Sequence, residues 1–201
     1  MHTKIPRLQT IYDRFESEAQ PYKAQAACRK GCAYCCTDAG AIHITTLEGL
    51  AIREAVAGLA KPQRAAIAKT LDKERKRREK GQTAPCPFLM KNKACMIYPA
   101  RPFACRRIYS LQTCHQAQPP VLSRQVMAMG DLAIRDLQQL DDTGYSGHIS
   151  YILHMLASDR FLETYLAGAF KPEEVSDFGK SHQILINRMV TAKPMEPSAP
   201  S

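Results

Sequence analysis

Tryptophan is absent from the 201-residue chain, and aromatic residues make up only 7% of it. A buried core must therefore be assembled from Leu, Ile, Ala and Met, which are common enough for the 45% hydrophobic share to be ordinary for a globular chain. No apolar run approaches the roughly 20 residues of a membrane-spanning helix, so no membrane partner is expected. Residues 1–15 scatter Lys4, Arg7, Asp13 and Arg14 among single apolar residues, without the continuous apolar stretch of a secretory signal. The expectation is a cytoplasmic protein. Glycine-rich phosphate-binding loops and internal repeats are missing as well. Cysteine, finally, is absent from the whole of residues 115–201.

All eight cysteines lie instead in two clusters, Cys28-x3-Cys32-x2-Cys35-Cys36 and Cys86-x8-Cys95-x9-Cys105-x8-Cys114. In a reducing compartment, closely spaced cysteines favour metal binding over disulfides. Soft thiolates suit Zn2+ and iron–sulfur irons, and gaps of two or three residues let the backbone turn so that two sulfurs face one metal. Gly31 supplies the positive φ that such a turn uses. Cys35 and Cys36 diverge as neighbours on the chain, so they are expected to serve different metals, or one of them a supporting role. Repeated CxxC pairs at zinc-finger spacing are lacking. The simplest closed arrangement pools both segments, with Cys28, Cys32 and Cys35 completed by a thiolate from the second. Metal ligands are thus sought among Cys28, Cys32, Cys35, Cys36, Cys86, Cys95, Cys105 and Cys114. The expected cofactor is Zn2+ or iron, including a [4Fe–4S] cluster. His43 and His115 are the next candidates, although ordinary polar roles suit them better. Arg101, Arg106 and Arg107 either balance the sulfurs' charge or pair with carboxylates. Tyr34 and Tyr98 are expected to pack.

The formal charge is +9. Eight thiolates with two Zn2+ would add −8 + 4 = −4 and leave +5, which weakens the case for an acidic partner. The charged run Lys69–Lys80 interleaves Asp72, Glu74 and Glu79 with its cations, as a solvated helix does. An acidic protein or nucleic acid remains a candidate partner there.

The patterning predicts a mainly α single domain with a metal-tied, proline-rich cysteine subregion and a small hairpin. Leu8, Ile11, Tyr12 and Phe15 recur at helical spacing, giving an N-terminal helix within 1–23. Residues 24–115 form the cysteine-cluster metal-binding part. Within it, Ile42-His43-Ile44 reads as extended, and Thr45 with Glu48 reads as the capping box of a helix reaching Leu59. Pro62 opens the next helix, which runs through Lys80. Four prolines break 85–115, where Lys91-Asn92-Lys93 could turn a hairpin. Residues 116–190 are expected to form helices packing on this part: one carries Val126, Met129, Ala133, Leu137 and Leu140, and another runs from Ile149 to about Phe170. Asp141–Gly147 reads as a turn-rich loop, 181–190 as a last short element, and 191–201 as a disordered tail.

The combination of Cys28-x3-Cys32-x2-Cys35-Cys36 with Cys86-Pro87-Phe88-Leu89, Cys95-Met96-Ile97-Tyr98, Arg101-Pro102 and Cys105-Arg106 resembles the bacterial CxxCxxCC (YkgJ-like) cysteine-cluster family. The likeness covers residues 24–115, with Thr45 and Glu48 inside it. It implies a mainly helical zinc- or iron-chelating domain and names no activity. Three functions follow from the residues. The first is metal held by thiolates from two segments. The second is an iron–sulfur enzyme or electron-transfer protein with an open iron, because Cys28-x3-Cys32-x2-Cys35 has the spacing of radical-SAM enzymes. The few strands argue against the partial barrel of those enzymes. The third is a zinc-stabilised adaptor for nucleic acid or protein.

Overall fold

The computed structural model of the chain describes residues 3–29, 31–37, 42–82, 84–115 and 118–170 and a strand at 185–186. The expected tail 191–201, and all of 181–190 except that strand, lie outside the described residues. The chain is mainly helical. Its elements run α1 (Lys4–Glu18), α2 (Gln20–Lys23), α3 (Tyr34–Thr37), β1 (His43–Thr45), α4 (Thr46–Ala57), α5 (Lys61–Arg78), a 3-10 turn (Tyr98–Ala100), α6 (Phe103–Arg106), α7 (Arg124–Leu140), β2 (Tyr145–His148), α8 (Ile149–Leu156), α9 (Asp159–Leu166) and β3 (Leu185–Ile186). Among the described residues no helix is long and apolar enough to cross a membrane.

Two apolar clusters form the core. Leu8, Tyr12 and Phe15 of α1 meet Val126, Ala133 and Leu137 of α7, together with Phe103. Ile52 meets Ile149, Ile152, Leu156 and Tyr165 in the second cluster, to which Phe88 and Ile97 of the cysteine segment also belong. Helix α4 divides its residues between them, Leu47 to the first and Ile52 to the second. Its start is therefore buried on several sides, and every orphan amide there needs an acceptor. Thr45 Oγ1 accepts from the Glu48 amide, Asp141 Oδ2 accepts from the Leu47 amide at 2.9 Å, and Tyr165 O–H donates to Asp141 Oδ1 at 2.7 Å.

Two expectations change. The stretch read as a loop before Gly147 contains β2. This strand pairs antiparallel with β1 (His43↔His148, Ile44↔Gly147, Thr45↔Ser146) and with β3 (Tyr145↔Ile186, Ser146↔Leu185), in the order β1-β2-β3. All four residues of β2 are buried, so it lacks the alternation that marks a half-exposed strand. The helix expected from Ile149 to Phe170 is broken into α8 and α9, and Ser158 stands extended at the N-cap of the second. The capping box of Thr45 and Glu48 forms as expected.

Gly49 sits where α4 crosses α8. A Cβ there would lie 2.7 Å from Ile152 Cγ2 and 2.8 Å from Leu156 Cδ1, so the absent side chain sets the approach of the two helices. Gly49→Ala is expected to destabilise the chain by about 1–3 kcal/mol through overpacking. Gly58→Ala at the end of the same helix, where φ is −74° and the nearest atom is 3.5 Å away, is expected to be neutral or slightly stabilising. Urea unfolding of the two variants checks this, and equal midpoints would contradict the packing described.

Candidate metal centre

The cysteine segments contain little regular structure. Cys28 lies in an irregular stretch tied to the second segment by Ala27 N–H donating to Ser110 O at 2.8 Å. Gly31, at φ +91°, turns the chain into Cys32. Cys35 and Cys36 lie on the single turn α3, and Cys36 O accepts the Cys86 amide at 2.7 Å. Phe88 to Met96 close the expected hairpin. Leu89 and Cys95 form its bridge, Met90 N–H donates to Ala94 O, and Lys93 takes the turn at φ +62°. Cys105 lies on α6.

All eight cysteines are free. Their mutual influence shows which stand together. The Cys105 thiol is pushed up by burial and then by Cys86, Cys35 and Cys95. Burial pushes Cys86 up to about 11, and Cys95 and Cys35 add to it. Cys35 is raised by its hydrogen bond with Cys36 and by burial. A separate influence acts on Cys28, which burial raises first and the neighbouring Cys32, Cys114 and Cys35 raise further. The two sequence clusters are thus interleaved in space. Cys35 acts on Cys86, Cys95 and Cys105 and also on Cys28, which Cys32 and Cys114 reach as well. Cys32 and Cys35 of the expected Cys28-Cys32-Cys35 set both act on Cys28. Among the described residues no three His, Cys, Asp or Glu side chains already stand in metal-holding geometry.

The surroundings suit sulfur anions. The amides of Phe88 and Ile97 donate to Cys86 and Cys95, each two residues back, and the Ser110 amide donates to Cys28 Sγ at 3.3 Å. Such N–H donors stabilise thiolate over thiol. Arg101 adds positive charge beside Cys35 and Cys95. Its Nε is buried without a hydrogen-bond partner among the described residues, and an anionic thiolate centre would suit it. The donor set and this unpartnered N–H together fit a thiolate-held metal.

All three arginines also pair with carboxylates. Arg106 Nη1 meets Glu16 Oε1 at 2.8 Å, Arg101 Nη2 lies 3.5 Å from the same oxygen, and Arg107 lies 3.5 Å from Asp131. Burial opposes ionisation of Glu16, but hydrogen bonds from Lys23 and Arg106 prevail and hold its pKa at about 2. His115 pairs with Gln118. Tyr98 is not a packing residue: it is 60% exposed, with the Arg101 guanidinium 4.1 Å from its ring centre.

Two groups escaped the sequence reading. Beside Cys35, Cys36 and Cys86 lie Glu74, Arg78 and His148. Ser150 O–H donates to Glu74, Arg78 pairs with the same carboxylate, and His148 Nδ1 is 2.6 Å from Ser150 Oγ. Burial and the charge of Arg78 lower the pKa of His148 to about 3, so its ring is neutral. Only the helical spacing of Glu74 and Arg78 hinted at this network. The second group centres on Glu48. Its carboxylate is 3% exposed and accepts four hydrogen bonds: from Tyr12 O–H (2.7 Å), the Phe103 amide (2.8 Å), the Thr45 amide (2.9 Å) and the Thr45 hydroxyl (3.3 Å).

Comparison with known families places residues 27–123 on the model CxxCxxCC, described as "Putative zinc- or iron-chelating domain". No curated protein and no solved structure matches the chain.

Glu48→Gln would turn one acceptor into a donor facing these N–H and O–H groups. It is expected to cost about 2–4 kcal/mol. Tyr12→Phe, which removes one donor and leaves the carboxylate three others, is expected to cost about 1 kcal/mol. Thermal or urea denaturation orders the two, and a reversed order would show that the carboxylate is not the tie described.

Proposed function

From the match of residues 27–123 to the CxxCxxCC model of zinc- or iron-chelating domains, we propose that the chain holds metal in two thiolate centres built across both cysteine segments. One uses Cys35, Cys86, Cys95 and Cys105. The other uses Cys28, Cys32 and Cys114. Cys36 supports the first through its bond to Cys35. The observation that carries this reading is the mutual influence of Cys35, Cys86, Cys95 and Cys105, with amide donors on two of the four sulfurs. Four thiolates close a zinc or iron–sulfur site, whereas three leave a position open to another ligand. The open position is what an iron–sulfur enzyme or electron carrier would use. A reducing cytoplasm keeps such thiols available.

Anaerobic purification with elemental analysis and an absorption spectrum tests this. Colourless protein with zinc, or brown protein with iron and matching sulfide, identifies the metal. Cys86→Ser and Cys105→Ser are expected to remove the first centre and leave the second. Cys28→Ser and Cys114→Ser are expected to do the reverse. Retention of all metal by each of the four variants would refute the assignment.

A second reading, an adaptor for nucleic acid, is supported by α5. Its acidic residues pair within the helix, Asp72 with Arg75 and Lys76, and Glu74 with Arg78. Lys69, Lys73 and Arg77 repeat every four residues on one exposed face of the same helix. Retention on single-stranded RNA that weakens with salt, and is abolished by reversing these three charges, is the expected outcome. Salt-insensitive or unchanged retention removes the reading.

A further inference from the structure

A cavity of about 230 Å3 lies between α6, α7 and the paired strands β1 and β2. It is separate from the cysteine groups: no cysteine lines it. Its inner wall is apolar, made by Ile44, Phe103 and Leu137, with Ile134 nearer the surface.

Gln138 is only 7% exposed, lines the cavity, and its amide makes no hydrogen bond to any described residue. The amide opens onto the cavity, and the space it faces is where a partner would sit. Arg107 also lines the cavity, and its carboxylate partner Asp131 is 3.5 Å away and outside the lining. Arg107 lies against α7 at Gly130, where a Cβ would meet its Cδ at an ordinary contact distance of 3.5 Å. His43 and Ser146 complete the polar side. The single acidic residue of the lining is Glu48, and its two oxygens already hold four donors, so little of its charge is left unopposed.

One cation, an unpartnered amide and a compact apolar wall describe a site for an oxyanion attached to a small apolar body. We propose that this cavity binds a small organic carboxylate. Arg107 and the Gln138 amide take its oxygens, and Phe103, Ile44 and Leu137 take its apolar body. The guanidinium provides two parallel donors for the carboxylate plane.

Benzoate is a suitable probe, titrated into the full chain and followed by amide chemical shifts. Saturable binding is expected, with shifts at residues 43, 107, 134, 138 and 146. Arg107→Gln, an exchange on a partly exposed side chain, is expected to weaken benzoate about ten-fold or more. Gln138→Met, of similar volume, is expected to weaken it several-fold while leaving the melting temperature unchanged or raised. Benzyl alcohol, which has the ring without the charge, and acetate, which has the charge without the ring, should each bind about ten-fold more weakly. No saturable binding up to about 10 mM would overturn the proposal. So would equal affinity for benzoate and benzyl alcohol, or for benzoate and acetate, or benzoate affinity unchanged in Arg107→Gln.

Discussion

A single buried carboxylate holds the metal-binding segment to the helical frame. Glu48 lies in the first turn of α4, at the seam of the two apolar clusters, and receives donors from three places in the chain. Tyr12 arrives from α1, Thr45 from the end of β1, and the Phe103 amide from the start of α6. A carboxylate stripped of water in such a place is tolerated only with its lone pairs filled. That requirement runs both ways. The helices must bring their donors to Glu48, and Glu48 in turn fixes where α6 begins. Because α6 carries Cys105, the carboxylate sets the position of a thiol to which it is not bonded.

The proline-rich segment needs ties of this kind. Residues 85–115 contain only two isolated bridges (one of them from His115 to Gln118), a 3-10 turn and one turn of α-helix, so backbone pairing contributes little to their order. What anchors them is side-chain burial (Phe88, Ile97 and Phe103) and a few polar contacts to α1 and α4. Glu16 draws Arg101 and Arg106 onto α1, and the Arg106 guanidinium also lies 4.5 Å from the Tyr12 ring centre. The thiols gathered here are raised mainly by burial, which disfavours their charge. Amide donors and Arg101 pull the other way. A bound metal cation would shift this balance much further than either, which is how thiolate sites convert binding energy into folding energy.

Much of this was legible in the sequence because the signals were local. Helical spacing located α1, α4, α5 and α7, and Thr45 with Glu48 announced the start of α4. The two cysteine clusters were legible in the sequence, but the contacts that join their segments were not. These are Cys36 O meeting the Cys86 amide and Ala27 meeting Ser110, between residues at least 50 positions apart. Strand β2 was missed because Tyr145-Ser-Gly-His is buried throughout and has the composition of a turn. Glu48 was read as a cap, and only that. A charged residue is expected at the surface, and nothing near it in sequence reveals that Tyr12 and Phe103 supply its other donors. Glu74, His148 and Ser150 escaped for the same reason: their association is made by packing α5 against α8.

Helix α6 is where these constraints converge. Four residues are too few to hold a helix by their own hydrogen bonds. It persists because Phe103 is buried, its amide is held by Glu48, and Arg106 is held by Glu16 and by the carbonyls of Pro99 and Arg101. A turn pinned at both ends moves as a unit or not at all. Cys105 on this turn stands among the thiols, while Phe103, Ala104 and Arg107 line the cavity on the β1–β2 side. The cavity and the cysteine group therefore share one short wall. Closing sulfurs onto a metal would pull on the backbone that also positions Arg107. Filling the cavity would press on the backbone that also positions Cys105. Between the proposed thiolate centre and the proposed cavity site this one turn is the shared element, and Glu48 holds its first amide.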